Sequence, residues 1–425
     1  MNFYDIREIE ATSLTIQLEN GKIEKPKYDH AKAKGFRVLK NGFWGIFEGD
    51  VPDEVGIKIA EGNAVFESDS EIAENISEGR YVMKVKVRPE DVPIEEKVEL
   101  LKDLEKIIRD VCVSTKVVYF ENSRVFRYVD SCGSEVEYTV YRTGVSITGV
   151  GKGKTLQFLS RRLMKAGGFE VLKNAVETAE EVRKILPKLA NAGSPPSGEM
   201  NVVMDPSLAG VFVHEAFGHA VEADHVLQGA TVLEGRLGER VADENVSIID
   251  DPTLPEFGFF PFDDEGIKAE KKVIVENGIL KSFLHSRETA KKLGGRAGNA
   301  RSQGVEIPIV RMSNTYLAPS DYTFEELLEE CGEGVYLVGS RGGETNPSTG
   351  YFHFNAQYGY LVKGGELKEM VRDVSLAGNT LDILRNVKIG SRIDFDPGFC
   401  GKAGQLVPVS DGSPHVLCKA TVGGA

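Results

Sequence analysis

The chain has 425 residues, 41% of them hydrophobic and 27% charged, with a formal net charge of −14 at pH 7. That length holds two or three ordinary domains, and those proportions belong to a soluble globular protein. The acidic balance argues against a nucleic-acid partner, because neutralising phosphates takes an excess of Lys and Arg, and no window approaches the ~18 apolar residues of a membrane span.

Met1 to Glu8 carry no basic segment followed by an apolar run, so no signal peptide is expected. Leu14, Ile16 and Leu18 then alternate with polar residues up to Asn20-Gly21, and Ile23 follows. Phe36 and Val38 lead to Asn41-Gly42, with Trp44 and Ile46 beyond. Asn-Gly accepts positive φ at two successive positions, so both stretches predict hairpins. A helix is expected over 53–65 and a strand over 81–87, ahead of Pro89. Pro93 suits a first helical turn, and Ile94, Val98, Leu101, Leu104 and Ile108 form one stripe at helical spacing. Strands are expected at 116–120, 125–129, 136–141 and 145–150. Gly149-Val150-Gly151-Lys152-Gly153-Lys154-Thr155 ends like a phosphate-binding loop. That loop needs Gly six positions before its Lys, where this chain has Thr148, so the segment reads as a basic turn between domains. A second helix carries Leu172, Ala175, Val176, Ala179, Val182 and Leu186. Both helical stripes read as core packing.

Ala192-Gly193-Ser194-Pro195-Pro196-Ser197-Gly198 is the best linker candidate. It divides an N-terminal α/β domain, residues 1–193, from a β-rich C-terminal domain, residues 200–425. A strand over 200–204 opens the second domain, and Asp205-Pro206 starts a helix. From about residue 246, strands (272–275, 279–284, 334–339, 358–362) alternate with Gly-rich turns, and short helices are expected over 286–293 and 323–330. The fold class is therefore α+β, an antiparallel sheet with helices followed by a β-rich domain.

The helix after Asp205 carries His214-Glu215-Ala216-Phe217-Gly218-His219-Ala220. Imidazole is a good ligand for a borderline metal such as zinc, and a Glu beside such ligands can accept a proton from activated water. The metalloprotease pattern His-Glu-x-x-His places its histidines at i and i+4; here they stand at i and i+5. On a regular helix five residues turn roughly 140° past the starting direction. Either a π-type turn brings both rings to one side, helped by Gly218, or the motif is a buried helix whose histidines find backbone partners. A catalytic zinc site also needs a third protein ligand. The five cysteines, Cys112, Cys132, Cys331, Cys400 and Cys418, are scattered and odd in number. That suits a reducing cytoplasm rather than a disulfide framework. Cys400 stands out, since Gly398, Gly401 and Gly404 around it would let a thiolate approach a metal. The alternative for Cys400 is a small buried residue in a tight turn.

Together these segments are identified as those of the TldD/TldE (PmbA) peptidase family, and of its metal-bearing TldD branch. The likeness rests on His214-Glu215 with His219, Glu222 and Asp224, and on Asp263-Asp264-Glu265-Gly266 leading to Ile274 through Leu280. It continues in Arg311-Met312-Ser313-Asn314-Thr315, Gly342-Gly343, Gly350-Tyr351-Phe352 and Ser375 through Thr380. Cys400-Gly401-Lys402, Val422-Gly423-Gly424 and the stretch from Arg37-Val38-Leu39 to Trp44-Gly45 complete it.

The resemblance implies that His214 and His219 bind a zinc ion (Zn2+), that Cys400 is the third ligand and that Glu215 is the general base. It implies an N-terminal domain of antiparallel sheet and helices and a β-rich domain holding the metal. It implies hydrolysis of unfolded or extended peptides in the cytosol, by a homodimer or by a heterodimer with a TldE-like subunit that lacks the metal motif. The chain is somewhat shorter than typical bacterial members. His415 and Cys418, in Ser413-Pro414-His415-Val416-Leu417-Cys418, lie where no ligand is expected, and either could compete for metal. Glu222 and Asp224 read as partners that orient the histidines, and Asp263, Asp264 and Glu265 as either such partners or a solvated acidic rim. Two other readings remain at this stage: a scaffold subunit like TldE, and a structural zinc protein with His225 or Cys418 as fourth ligand.

Overall fold

The computed structural model describes residues 3–424. It is an α+β protein, as expected.

The N-terminal half is built on one eight-stranded sheet. Its path runs Phe43–Glu48, Lys27–Lys40, Phe3–Glu19, Ser114–Asp130, Glu135–Lys152, with Glu78–Val82 pairing in parallel at the far edge. Both Asn-Gly hairpins are present, with Asn20 at φ 49°, Gly21 at 79°, Asn41 at 51° and Gly42 at 70°. The helices Ile94–Ile108 and Ala175–Ala190 lie on one face of this sheet. Leu101, Leu104, Val182 and Leu186 meet Leu14, Ile16, Leu18 and Val117 there in a single buried cluster. The helix Asp53–Asn63 brings Gly56 and Ala60 against the Lys27–Lys40 and Phe43–Glu48 strands.

Several boundaries differ from the sequence expectation. The four strands expected over 116–150 are two, Ser114–Asp130 and Glu135–Lys152, of 17 and 18 residues. The polar stretch Glu121-Asn122-Ser123-Arg124 looks like a turn. It stays in the ladder opposite Arg142 and Thr143 because its side chains find partners: Asn122 bonds the carbonyl of Thr12, and Arg124 pairs with Asp264 at 3.1 Å. The segment 149–155 is not an interdomain turn. It closes the hairpin between Glu135–Lys152 and Leu156–Ala166 inside the first sheet. The strand expected over 81–87 is Glu78–Val82, shifted towards the N-terminus.

The C-terminal half has two sheets around one core. In the larger, Glu333–Asn346, Gly198–Met204, Val416–Gly424, Val374–Asn379 and Tyr351–Lys363 pair in succession, and the last pairs back to the first. Five strands thus close a ring and leave no edge within it. The second sheet runs Ile279–Leu280, Lys272–Glu276, Ile248–Asp250, Asn314–Leu317, Gln405–Ser413 and Asp394–Lys402. Between ring and sheet lies the helical segment after Asp205. Leu208, Phe212, Val213 and Phe217 are fully or almost fully buried, and Phe212 meets Phe352 edge-on at 5.1 Å between ring centres.

The two halves are joined by buried ion pairs. Arg37 bridges Asp5 and Glu265, the latter at 3.2 Å, and Arg287 reaches Asp130 at 3.0 Å. Asp264 takes Arg124, and Asp263 accepts the backbone N–H groups of Glu265, Ile267 and Ala300. Asp263, Asp264 and Glu265 are therefore neither partners of the histidines nor a solvated rim. They are buried in the seam between the halves.

Candidate metal centre

The ring strand Gly198–Met204 ends at Asp205, whose carboxylate accepts the N–H of Leu208 at 2.8 Å and of Gly339 at 2.9 Å. With Pro206 at the first position, this is a well-formed helix start. Burial pushes the Asp205 carboxyl up, against those two N–H donors, to about 6. The α-helix lasts only for Pro206–Val211. Phe212–Gly218 is a π-helix, and the N–H of His219 donates to the carbonyl of His214, five residues back. The widened turn that the i, i+5 spacing demanded is present.

Its effect is to turn both imidazoles to one side. The ring centres of His214 and His219 are 5.4 Å apart and the planes perpendicular. Cys400 arrives on the strand Asp394–Lys402, with Sγ 3.5 Å from Nε2 of His219. One donor atom from each of His214, His219 and Cys400 lies within 4.8 Å of the other two. His214 and Cys400 are buried, and His219 is mostly so. The buried Arg311 guanidinium donates to the carbonyl of Cys400 and fixes the strand at that point.

Each imidazole turns its other nitrogen to a carboxylate. His219 Nδ1 is 2.9 Å from Glu222 Oε2. His214 Nδ1 is 2.7 Å from Asp411 Oδ1 but off the hydrogen-bond line, so neither buried atom has a well-aligned partner. A carboxylate at Nδ1 holds the proton there and leaves Nε2 free to face a cation. The electrostatics agree. Burial pushes the Cys400 thiol up, but His214 and His219 outweigh it and bring it down to about 5. Burial works against a charged His219, and Glu222 and Cys400 overcome it, raising the ring to about 10. Burial raises Glu222, and His219 and Lys402 reverse that, leaving it at about 2. A thiolate and two carboxylates around two imidazoles call for positive charge at their centre, which fits a zinc ion.

Glu215 lies on the open side. Its Oε2 is 3.7 Å from Nε2 of His219, and the side chain is 40% exposed, the most accessible group of the cluster. Asp224, expected as an orienting partner of the histidines, meets neither His214 nor His219 and accepts the backbone N–H of His225 at 3.1 Å. Lys402 Nζ binds Asp224 at 2.7 Å, Glu222 at 3.0 Å and the carbonyl of Val310 at 3.1 Å. Asp224 therefore reaches His219 indirectly, through Lys402 and Glu222 and through the backbone of His225. His225 uses Nδ1 on the carbonyl of His219 at 2.9 Å. His415 stacks on Phe324 and meets the hydroxyl of Tyr336 at 3.2 Å, and Cys418 is buried in the ring strand Val416–Gly424. Neither His415 nor Cys418 joins the cluster, so the expected competition for metal does not arise.

Asp411, Lys402 and Arg311 are the site residues that sequence reasoning passed over. Asp411 did carry a signal, as a carboxylate interrupting the apolar alternation of Val407 and Val409 in a buried strand.

Family models match nearly the whole chain: PmbA/TldA metallopeptidase domain 1 over residues 4–62, the central domain over 87–187 and the C-terminal domain over 197–424. The chain belongs to the PmbA/TldA metallopeptidase family. A protein from Archaeoglobus fulgidus named metalloprotease is 76% identical over 425 residues, covering all of both chains. A metalloprotease from Methanothermobacter thermautotrophicus is 42% identical over 435 residues, covering 100% of this chain and 96% of that one. Among solved structures, a candidate modulator of a DNA gyrase from Thermotoga maritima superposes with a TM-score of 0.84 at 26% identity, covering 99% and 96% of the two chains. TldE from Thermococcus kodakarensis shares the fold, with a TM-score of 0.78 at 20% identity and coverage of 99% and 97%.

Proposed function

We propose that this protein is a zinc-dependent peptidase of the cytoplasm that hydrolyses extended or unfolded peptides. His214, His219 and Cys400 would hold the ion, and Glu215 is the general base. The observation that carries the reading is the convergence of three donor atoms within 4.8 Å, with one carboxylate left on the accessible side. A bound zinc ion supplies the Lewis acid that acidifies water and polarises the scissile carbonyl. Glu215 takes the proton of the attacking water and returns it to the departing amine. Glu222 bonds the His219 imidazole through Nδ1, the Asp411 carboxylate faces Nδ1 of His214, and Lys402 holds Glu222. A structural zinc site is normally closed by four protein ligands, whereas the described residues group only three here.

The strand Asp394–Lys402 is the outer strand of its sheet. Its turn, Ala403 at φ 51° and Gly404 at φ 77°, makes the pair Lys402 and Gln405 a closing hydrogen-bonded pair, and alternate pairs follow. Cys400 and Lys402 thus turn their backbone groups inward, and Phe399 and Gly401 turn theirs to the free edge. An extended peptide added at that edge would run beside Cys400, recognised through its main chain. A folded protein has those groups already paired. The shared fold with a TldE supports assembly as a homodimer or with a TldE-like subunit. The test combines metal analysis with cleavage of one protein, native and irreversibly unfolded, by wild type and Glu215→Gln. Loss of cleavage with zinc retained, and cleavage of the unfolded form only, is the expected result. Equal cleavage of both forms, or full activity of the variant, would refute it.

A further inference from the structure

We propose a second binding site, for a small amphipathic anion of the medium-chain carboxylate class, in the cavity between the strand Lys272–Glu276, the segment 281–285 and the C-terminal end of the helix Arg287–Leu293. The cavity holds about 500 Å³, within the range that takes a small organic ligand. Its lining includes none of the residues of the metal centre. Leu284 bonds Val221 and Ala223 through its backbone, while its neighbours Phe283 and His285 line the cavity.

The lining is divided between apolar surface and positive charge. Val226 and Phe283 are buried in its wall, whereas Leu237 and Leu293 stay 53% and 38% exposed at the mouth. Apolar side chains left open around a concave space favour a ligand with an apolar body. The charged residues are Lys271, Lys272, Lys281 and Arg296, against the single carboxylate Glu270. Arg296 engages Glu270, and Lys281 has Glu276 at 3.6 Å from outside the cavity. Among the described residues the Lys272 ammonium has neither an ion pair nor a hydrogen bond. Burial pushes it down, and Asp250, Asp263 and Glu270 attract it only across a distance. His285 adds no charge at neutral pH, since burial and then Lys272 hold it down to about 4. Its ring occupies space that a side chain at position 295 would need, because a Cβ on Gly295 would sit 2.2 Å from Nε2. A positive cavity in a chain of net charge −14 is a local exception that selects an anion from a surface repelling it. An anionic head beside Lys272 would give that ammonium the partner it lacks.

Calorimetric titration of the full chain with octanoate, octylamine and inorganic phosphate tests this. Saturable binding of octanoate with one site per chain is expected, with no saturable heat from the amine or from phosphate. Lys272→Gln and Lys281→Glu should each weaken octanoate at least ~10-fold. Lys281 is 45% exposed, so its substitution leaves the fold intact and keeps the test valid if Lys272→Gln destabilises the chain. Three results would each overturn the proposal: absence of octanoate binding, binding unchanged in Lys281→Glu, or phosphate or octylamine binding as tightly as octanoate.

Discussion

Asp411→Ala is the substitution that isolates the geometry of the cluster from its donor atoms. Asp411 gives no ligand, yet its Oδ1 lies 2.7 Å from Nδ1 of His214, a ring that is 2% exposed. Alanine removes the only group of the described residues that faces that nitrogen at this distance. The His214 ring is then free to exchange its tautomer and to rotate, and the proton that the nearby Asp411 carboxylate attracts to Nδ1 can move to Nε2, where it blocks the lone pair. Loss of such an outer partner typically costs 10–100-fold in metal affinity, or about 1.4–2.7 kcal/mol. The same carboxylate is itself pushed up by burial and pulled back by His214. Its removal therefore relieves a desolvation cost as well as losing an attraction, and the fold should lose little stability. The assay is zinc competition against a chromophoric chelator at fixed pH, with the thermal midpoint of the metal-free chain measured beside it. Unchanged zinc affinity would refute the reasoning. So would a loss of affinity that the fall in stability of the metal-free chain accounts for in full.

Cys400→Ser should lose most bound zinc by metal analysis, whereas Glu215→Gln should retain the metal and lose ~10²–10⁴-fold in peptide turnover. Gly210→Ala should destabilise the chain by about 1–3 kcal/mol in denaturant titration, because its Cβ would sit 2.7 Å from the backbone oxygen of Asp411, which cannot move without shifting the strand. Glu265→Ala leaves the buried Arg37 with Asp5 alone, and an expected loss of about 3–5 kcal/mol is checked by the same titration.

Local patterns were legible wherever one element decides its own form. The stripe from Ile94 to Ile108 and the two Asn-Gly hairpins needed no distant partner to be read. The π-helix was legible for a different reason: two histidines five apart can share one ion only on a widened turn, so the chemistry specified the backbone. What stayed hidden depends on long-range contacts. The continuity of Ser114–Asp130 through four polar residues rests on Asp264 and Thr12, more than a hundred positions away in sequence. The placement of Asp263, Asp264 and Glu265 in the seam rests on Arg37, Arg124 and on N–H groups of their own loop and of Ala300. Their run of charge looks identical to a solvated face until those partners are known. Nearness in sequence to His219 does not bring Asp224 into contact with its ring; Lys402, from the strand Asp394–Lys402, pairs with Asp224 instead.

The hairpin Asp394–Ser413 couples two functions that the sequence separates. One strand carries Cys400, and its partner carries Asp411, which faces His214. The register Cys400 to Val407 and Asp396 to Asp411 fixes the spacing between the thiolate and the carboxylate. Lys402, two residues beyond Cys400, reaches across to Glu222 and so to His219. One rigid hairpin therefore sets the third donor and the orientation of both imidazoles. Its outer face carries the half-exposed Phe399, which meets Phe257 of the same half at 5.2 Å and Phe120 of the N-terminal half at 6.4 Å. A slip of one residue in this hairpin would turn Cys400 to the face now held by Phe399 and take the thiolate away from both histidines. The two-residue turn at Ala403-Gly404 guards against that slip, since it fixes the register at the end nearest the site.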